Sequence, residues 1–383
     1  MSNVVPFNRP HLTGVESGYL AEAMRGGHLA GDGPFTSRAE QLLSKITGVA
    51  DVLLTTSCTH ALEMAAILLA LDPGDEVLVP SFTFSSTANA FAGRGARPVF
   101  IDIRPDTLNI DERLIEAALT ERTRAIVVVH YGGVACEMDP ILEIAAARGI
   151  TVIEDNAHGL GATLGGQPLG TFGALAAQSF HQTKNIQCGE GGALLINNPD
   201  LVDRSHIVRQ SGTNRTAFLS GAIDRYTWVD TGSSYLLSDL LAAFLLAQLE
   251  HFDRIQSRRH HIWSTYEREL NGWASEVGVG LPVVPSSCEH AAHSFHVLLA
   301  DLEERTAFIA NLADRGVQSA FHYVALHRSP MGLKLGGAHA RCPVTEAVSD
   351  GLARLPLYPD LSESDQARAI EAVTTFRPRR RHR

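Results

Sequence analysis

Lys184 lies in the run Ser179-Phe180-His181-Gln182-Thr183-Lys184-Asn185-Ile186-Gln187-Cys188-Gly189-Glu190-Gly191-Gly192, a glycine-bearing loop that follows an apolar segment. A lysine amine attacks carbonyls when its charge is poorly solvated or countered by other cations, whereas in an open loop it is an ordinary solvated group. Asp155 closes a second apolar run, Ile150-Thr151-Val152-Ile153-Glu154-Asp155, which continues as Asn156-Ala157-His158-Gly159-Leu160-Gly161. An acid at the carboxyl end of a strand sits where open α/β sheets bind ligands, although the same residue type also caps helices and makes turns. Taken together the two point to one chemistry. Pyridoxal phosphate needs a lysine for its aldehyde and a carboxylate for its pyridinium nitrogen.

Such a cofactor also needs a phosphate cradle. Leu54-Thr55-Thr56-Ser57-Cys58-Thr59-His60-Ala61 places hydroxyls at the start of a helix, where free backbone N–H groups and the helix dipole attract an anion, and where an N-cap without a ligand would look the same. Pro80-Ser81-Phe82-Thr83-Phe84 ends a strand with two aromatics that either offer a face to a ring or fill the core. The competing dinucleotide reading of Gly159-x-Gly161 fails, because the glycine spacing is wrong and the acids precede the glycines. Among 17 histidines, His290, His293 and His296 recur every third residue, but no cysteine or carboxylate completes a set at ligand spacing. No metal is expected.

The elements that must hold these residues read as an α/β fold. Strands are expected at Asp51 to Thr55, Glu76 to Pro80, Pro98 to Ile103, Ala125 to His130, Thr151 to Glu154, Ala177 to Phe180 and Gly192 to Asn197, with helices near 58–71, 84–94, 111–119 and 138–148. That alternation predicts a doubly wound, mostly parallel sheet. The short link Gln182 to Gly191 has no room for a crossover helix, so one strand should run antiparallel. A helical connector, Ser238 to Arg259, leads to less regular chain. The expected division is 1–255 as the large domain, 256–376 as a smaller C-terminal domain, and 377–383 as a basic disordered tail.

Composition narrows the class. Acidic residues number 42 against 32 basic, a net charge of −10, which disfavours nucleic-acid binding. No apolar run approaches the ~20 residues that span a bilayer, so no membrane partner is expected. Five scattered cysteines without a Cys-x-x-Cys pair, and no secretory signal, suggest a reducing cytoplasm.

The chain resembles, over essentially its whole length, the DegT/DnrJ/StrS family of nucleotide-sugar aminotransferases. The residues that carry the likeness are Val5 to Asn8, Gly31-Asp32-Gly33-Pro34-Phe35-Thr36, Pro80 to Ala90, His130 to Asp139, Ser179 to Gly192, Gly212 to Arg215, Tyr226-Thr227-Trp228, Gly232-Ser233-Ser234-Tyr235 and Phe321-His322-Tyr323. The resemblance implies a fold type I aminotransferase, with a large seven-stranded sheet domain, a smaller C-terminal α+β domain, and pyridoxal 5'-phosphate that passes through the pyridoxamine form. Lys184 matches the Schiff-base lysine and Asp155 the carboxylate at the pyridine nitrogen. His158 matches the residue beside the ring hydroxyl, and Phe84 the stacking aromatic. Thr59, the backbone at His60, and Ser179 match phosphate-binding positions. Family members are homodimers that share active sites; Ser234 stands where many relatives place an asparagine that reaches the neighbour's phosphate. Phe35, Thr36, Arg215, Tyr226, Trp228, His322 and Tyr323 are expected near the sugar nucleotide.

The implied reaction moves the amino group of L-glutamate to the C4 keto carbon of dTDP-4-keto-6-deoxy-D-glucose, giving a 4-amino-4,6-dideoxyhexose of galacto or gluco configuration. Alternatives are another nucleotide-linked keto sugar, a pyridoxamine-dependent sugar dehydratase, and a nicotinamide-dependent epimerase. Relatives of the dehydratase type carry histidine at the position of Lys184, and the epimerase would need a glycine fingerprint near the first strand.

Overall fold

A computed structural model describes residues 4–378; the end of the expected basic tail, residues 379–383, lies outside the described residues. Seven strands form the main sheet: β1 Asp51–Thr55, β2 Glu76–Pro80, β3 Arg97–Ile101, β4 Thr123–Val129, β5 Thr151–Asp155, β6 Leu175–Ser179 and β7 Gly192–Ile196. Their spatial order is β1-β7-β6-β5-β4-β2-β3. Neighbours from β6 to β3 pair in parallel, while β7 runs antiparallel to both β6 and β1. The short link before Gly192 therefore produces the single reversed strand that its length requires.

Both faces of the sheet are covered, which is why the inner strands read as continuous apolar runs. Alternate residues of β4 point to opposite sides. Val127 packs with Leu62, Ala65 and Ile67 of α3 (Cys58–Leu68), whereas Ile126 and Val128 pack with Ile141 and Ala145 of α5 (Met138–Arg148). Between these helices in the chain, α4 (Ser85–Ala92) follows β2. Ahead of them come α1 (Glu16–Gly26) and α2 (Pro34–Thr47). The helix expected at 111–119 shrinks to a 3-10 turn, Glu112–Leu114, and one helical turn, Ile115–Ala118. Leu119 is already extended, so the chain turns directly toward β4.

The expected connector Ser238 to Arg259 is two helices. Ser238 accepts from the Leu241 N–H and caps α6 (Asp239–Leu249), and α7 follows as Phe252–Val277. The chain turns at Glu250 and His251 because α6 is buried nearly all round, whereas α7 buries one stripe: Ile255, Ile262, Tyr266 and Leu270. The expected domain boundary at 255/256 consequently falls inside the first turns of α7.

In the C-terminal part β8 (His296–Leu298) and β9 (Ala320–Phe321) flank β10 (Leu352–Arg354), all antiparallel. Helices α8 (Leu302–Asp314) and α9 (Glu363–Thr374) pack over this sheet, around Phe295, Phe308, Leu312 and Val373. The N-terminus joins them: the Val5 N–H donates to the Gly316 carbonyl at 2.8 Å and the Gln318 N–H to the Val5 carbonyl at 3.0 Å. That graft brings Phe7 and Asn8 to the wall of the central cavity.

Candidate active site

Strand register fixes the centre of the site. Asp155 is the last residue of β5 and lies opposite Val129 and Ala177, and Ser179 ends β6 on the same rim. The loop between β6 and β7 is tied across itself, with Phe180 N–H bonded to Gly191 O, Gln182 N–H to Gly189 O and Cys188 N–H to Phe180 O. This returns Lys184 over the strand ends. At Gly192 a Cβ would lie 2.3 Å from the Ser57 carbonyl carbon, so only glycine lets β7 start beneath the α3 terminus.

A cavity of about 720 Å³ opens there. Of the residues selected from sequence, Thr59, Phe84, Asp155, His158, Ser179, Lys184, His322 and Tyr323 line it. Asp155 is buried and accepts from the Thr87 hydroxyl at 2.7 Å and the Ala157 N–H at 3.2 Å. Thr83 lies 2.8 Å from the Thr87 hydroxyl, so a two-threonine relay orients the carboxylate. Burial raises the carboxyl's pKa, against the lowering from these hydrogen bonds and from Lys184. Burial lowers the Lys184 amine to about 8, against the Asp155 charge that favours its ammonium form.

Among the described residues no cation forms an ion pair with Asp155. A protonated pyridine nitrogen is the partner this acceptor-only group lacks, so the residues present fit pyridoxal phosphate. The depressed lysine sets a testable pH dependence. In cofactor-free protein the rate of covalent capture of pyridoxal phosphate should rise with pH through a midpoint near 8, because only the neutral amine attacks; stopped-flow absorbance would read it, and a midpoint at the ordinary lysine value would refute the burial argument.

His158 is neutral and its tautomer is set. Burial holds its pKa well below the usual imidazole value, and its Nδ1 accepts from the Gly132 N–H at 3.3 Å, which leaves the proton on Nε2. Its ring stacks on His293 at 4.1 Å and 16°. His293 Nδ1–H donates to Asn185 Oδ1 at 2.9 Å, and Asn185 Nδ2 donates to Gln256 Oε1 at 2.9 Å and the Ala291 carbonyl at 2.7 Å. The residue after Lys184 is thereby bolted to α7 and to the loop carrying His293.

The α3 terminus departs from expectation in one detail. Ser57 Oγ accepts from the His60 N–H at 3.1 Å, so the His60 donor expected for a phosphate is already engaged by the helix cap. First-turn N–H groups have no acceptor inside the helix, which leaves Cys58 and Thr59 as the backbone donors facing the cavity. The Thr59 and Ser86 hydroxyls lie 2.7 Å apart and bring the starts of α3 and α4 together. The His60 side chain turns away to Thr56 and Tyr235.

Several expected substrate residues do not reach the cavity within one chain. Phe35 and Thr36 are buried at the start of α2, where Asp239 accepts from the Phe35 N–H at 3.3 Å, the Thr36 N–H at 2.7 Å and the Thr36 hydroxyl at 2.8 Å. Their polar groups are spent fastening α2 to α6. Arg215, Tyr226, Trp228 and Ser234 are exposed and absent from the cavity wall, with Trp228 76% exposed. Sequence reasoning missed Thr87, Asn185, His293 and Arg354. Only Thr87 left a local signal, its four-residue spacing from Thr83 where a helix begins.

No group of three or more potential metal ligands occurs among the described residues, and none of their helices is long and apolar enough to cross a membrane.

The chain is similar to known proteins over nearly its whole length. An uncharacterized protein of Methanocaldococcus jannaschii, MJ1066, is 34% identical over 351 residues, 89% of each chain. A putative sugar aminotransferase of Streptococcus pneumoniae, Spr1654, solved in its pyridoxamine phosphate form and also in its pyridoxal phosphate form, superposes with a TM-score of 0.89 at 28% identity over 97% of both chains. The aminotransferase TlmJ of Streptoalloteichus hindustanus gives 0.86 at 31% identity over 98% of both. The model of the DegT/DnrJ/EryC1/StrS aminotransferases matches residues 11–374. A seven-stranded fold type I sheet, a lysine and an aspartate on one rim and a match over nearly the whole length together place the chain in the DegT/DnrJ/EryC1/StrS family of pyridoxal-phosphate-dependent sugar aminotransferases.

Proposed function

We propose that the enzyme transfers the amino group of L-glutamate to the C4 keto carbon of dTDP-4-keto-6-deoxy-D-glucose, releasing 2-oxoglutarate and dTDP-4-amino-4,6-dideoxyhexose. The observation that carries the aminotransferase chemistry is the shared cavity of a desolvated Lys184 and a buried Asp155 that lacks a cation. The choice of sugar is the one that the resemblance of the whole chain implies. When bound, pyridoxal phosphate supplies the aldehyde that carries the amino group and a protonated ring that accepts electrons.

Asp155, fixed by Thr87, holds the proton on the ring nitrogen. The Lys184 amine, with its pKa lowered to about 8, takes the proton from the amino donor's α-carbon and, in the second half-reaction, delivers a proton to the C4 carbon of the keto sugar. His158 offers its Nε2–H to the ring hydroxyl, Phe84 offers a ring face, and Thr59, Ser179 and the α3 terminus receive the phosphate. We further propose that two copies share sites, with Arg215, Tyr226, Trp228 and Ser234 reaching the neighbour, and that the enzyme works in the cytoplasm. Lys184 in place of histidine disfavours the sugar dehydratase, and family membership disfavours the nicotinamide-dependent epimerase.

The test is an assay with dTDP-4-keto-6-deoxyglucose and glutamate that follows 2-oxoglutarate and resolves the product's H3–H4 coupling by NMR. A new amino sugar is the expected result; a large coupling marks the gluco epimer and a small one the galacto. Bleaching of the visible cofactor band by glutamate without a sugar product would move the reading to another keto sugar.

A further inference from the structure

His322 and Tyr323 stand in the cavity wall on a stretch, 322–325, that has no regular structure and lies between the two-residue strand β9 and a 3-10 turn, Leu326–Arg328. Phe321 and Val324 on either side are exposed, so little apolar packing holds it. Hydrogen bonds to Ser81, the residue after β2, do so instead. The Leu326 N–H donates to the Ser81 carbonyl at 3.0 Å, and the His327 N–H to Ser81 Oγ at 3.2 Å. A hydroxyl that accepts there still has its own proton to give, and His327 Nδ1 lies 2.7 Å away. Nε2–H then donates to Glu346 Oε1 at 3.0 Å. Glu346 also pairs with Arg328 at 2.6 Å and sits in the first turn of the helix Pro343–Gly351, which Asp102, just past β3, caps by accepting from the Val344 and Thr345 N–H groups at 2.9 and 2.8 Å. Serine, histidine and glutamate are also the members of a hydrolytic triad, but Ser81 is 0% exposed, His327 3%, and neither lines the cavity. No substrate reaches that hydroxyl.

We propose that His327 is a positioning residue: with Ser81 and Glu346 it latches the stretch bearing His322 and Tyr323 against the rim of the sheet, and thereby sets the site's grip on the keto sugar and not on the amino donor. The inference rests on the sugar aminotransferase reading. Ser81 opens the run that continues through Phe82, Thr83 and Phe84, so the latch joins two walls of the cavity. The Tyr323 ring centre lies 5.7 Å from that of Phe82 and 6.3 Å from that of Phe84, and His322 Nδ1 lies 3.2 Å from the Tyr131 hydroxyl. Burial holds the His322 pKa well below and the Tyr323 pKa well above their ordinary values, which leaves both uncharged at neutral pH. Uncharged donors and acceptors suit sugar hydroxyls, whereas an amino acid's carboxylate calls for a cation. Lys184 and Asp155 hang on the β6–β7 loop and on β5, which the latch does not touch.

Wild-type holoenzyme, S81A, H327A and H327N are compared by rapid mixing with glutamate, by the keto-sugar KM and by amide hydrogen exchange. S81A and H327A are expected to raise the keto-sugar KM roughly tenfold, the change in latched population that one lost buried hydrogen bond makes, and to speed exchange at the amides of residues 322–327, while the visible band and the rate of the glutamate half-reaction stay as in the wild type. H327N keeps an acceptor for the Ser81 hydroxyl and should recover part of the loss. If H327A does not fold, S81A carries the test, because it removes a single oxygen. An unchanged keto-sugar KM in the folded variants would overturn the proposal, and so would an equal loss in the glutamate half-reaction, the mark of a merely structural role. If the wild type makes no amino sugar from dTDP-4-keto-6-deoxyglucose, the substrate reading fails instead, and exchange at 322–327 in S81A still decides whether the latch exists.

Discussion

Lys184→Ala should give a folded protein in which borohydride no longer fixes pyridoxal phosphate to the chain and glutamate turnover falls by at least about 10²- to 10⁴-fold, the range that a positioned proton-transfer group supplies. The loss would be chemical and not structural. In the fold this amine has a pKa near 8 against an ordinary 10.5, so its charge is penalised at neutral pH and the penalty shrinks only as pH rises from about 8 toward 10.5. Alanine removes that penalty, and the unfolding midpoint at pH 7 should not drop. Normal turnover in Lys184→Ala would refute the assigned role; lost turnover with a lowered midpoint would point to misfolding.

The second large effect is expected at Asp155. Asp155→Asn keeps the shape and the Thr87 contact but removes the charge opposite the ring nitrogen. Breaking a buried charge pair costs about 3–5 kcal/mol, which corresponds to roughly two to four decades in the rate of the glutamate half-reaction. Covalent capture should survive because Lys184 remains. Its pH midpoint should move below that of the wild type, since Asp155 is one of the charges that sustain the ammonium form. An unchanged half-reaction rate, measured by rapid mixing with glutamate, would remove Asp155 from the chemistry.

Asp155 was legible because parallel strands buried on both faces leave uninterrupted apolar runs, and the residue that ends such a run in an open α/β sheet lies at the ligand rim; Lys184 was legible from its place in the glycine-bearing loop just past the end of the next strand. The reversed β7 was legible from a link too short for a helix. The turn at Glu250 and His251 was not, since good helix formers stand on both sides and only the difference in burial separates α6 from α7. The role of Gly31-Asp32-Gly33 as a fastening had no local signal: Asp32 pairs with the buried Arg209 and accepts from Gln210, and a Cβ on Gly33 would lie 2.4 Å from Asp239. The stack of His293 on His158 and the approach of Arg354 depend on packing between the two halves of the chain, which no local pattern encodes.

The reversed strand also governs when the site can come into being. β1 is an edge strand whose sheet partner is β7, with Leu53 opposite Leu194. On a ribosome β1 and the start of α3 emerge early, yet they cannot be seated until every parallel strand has been made and β7 has threaded between β1 and β6. Closing so long a loop is entropically slow, and the phosphate cradle can be seated only after β7, and with it Lys184, has been synthesised.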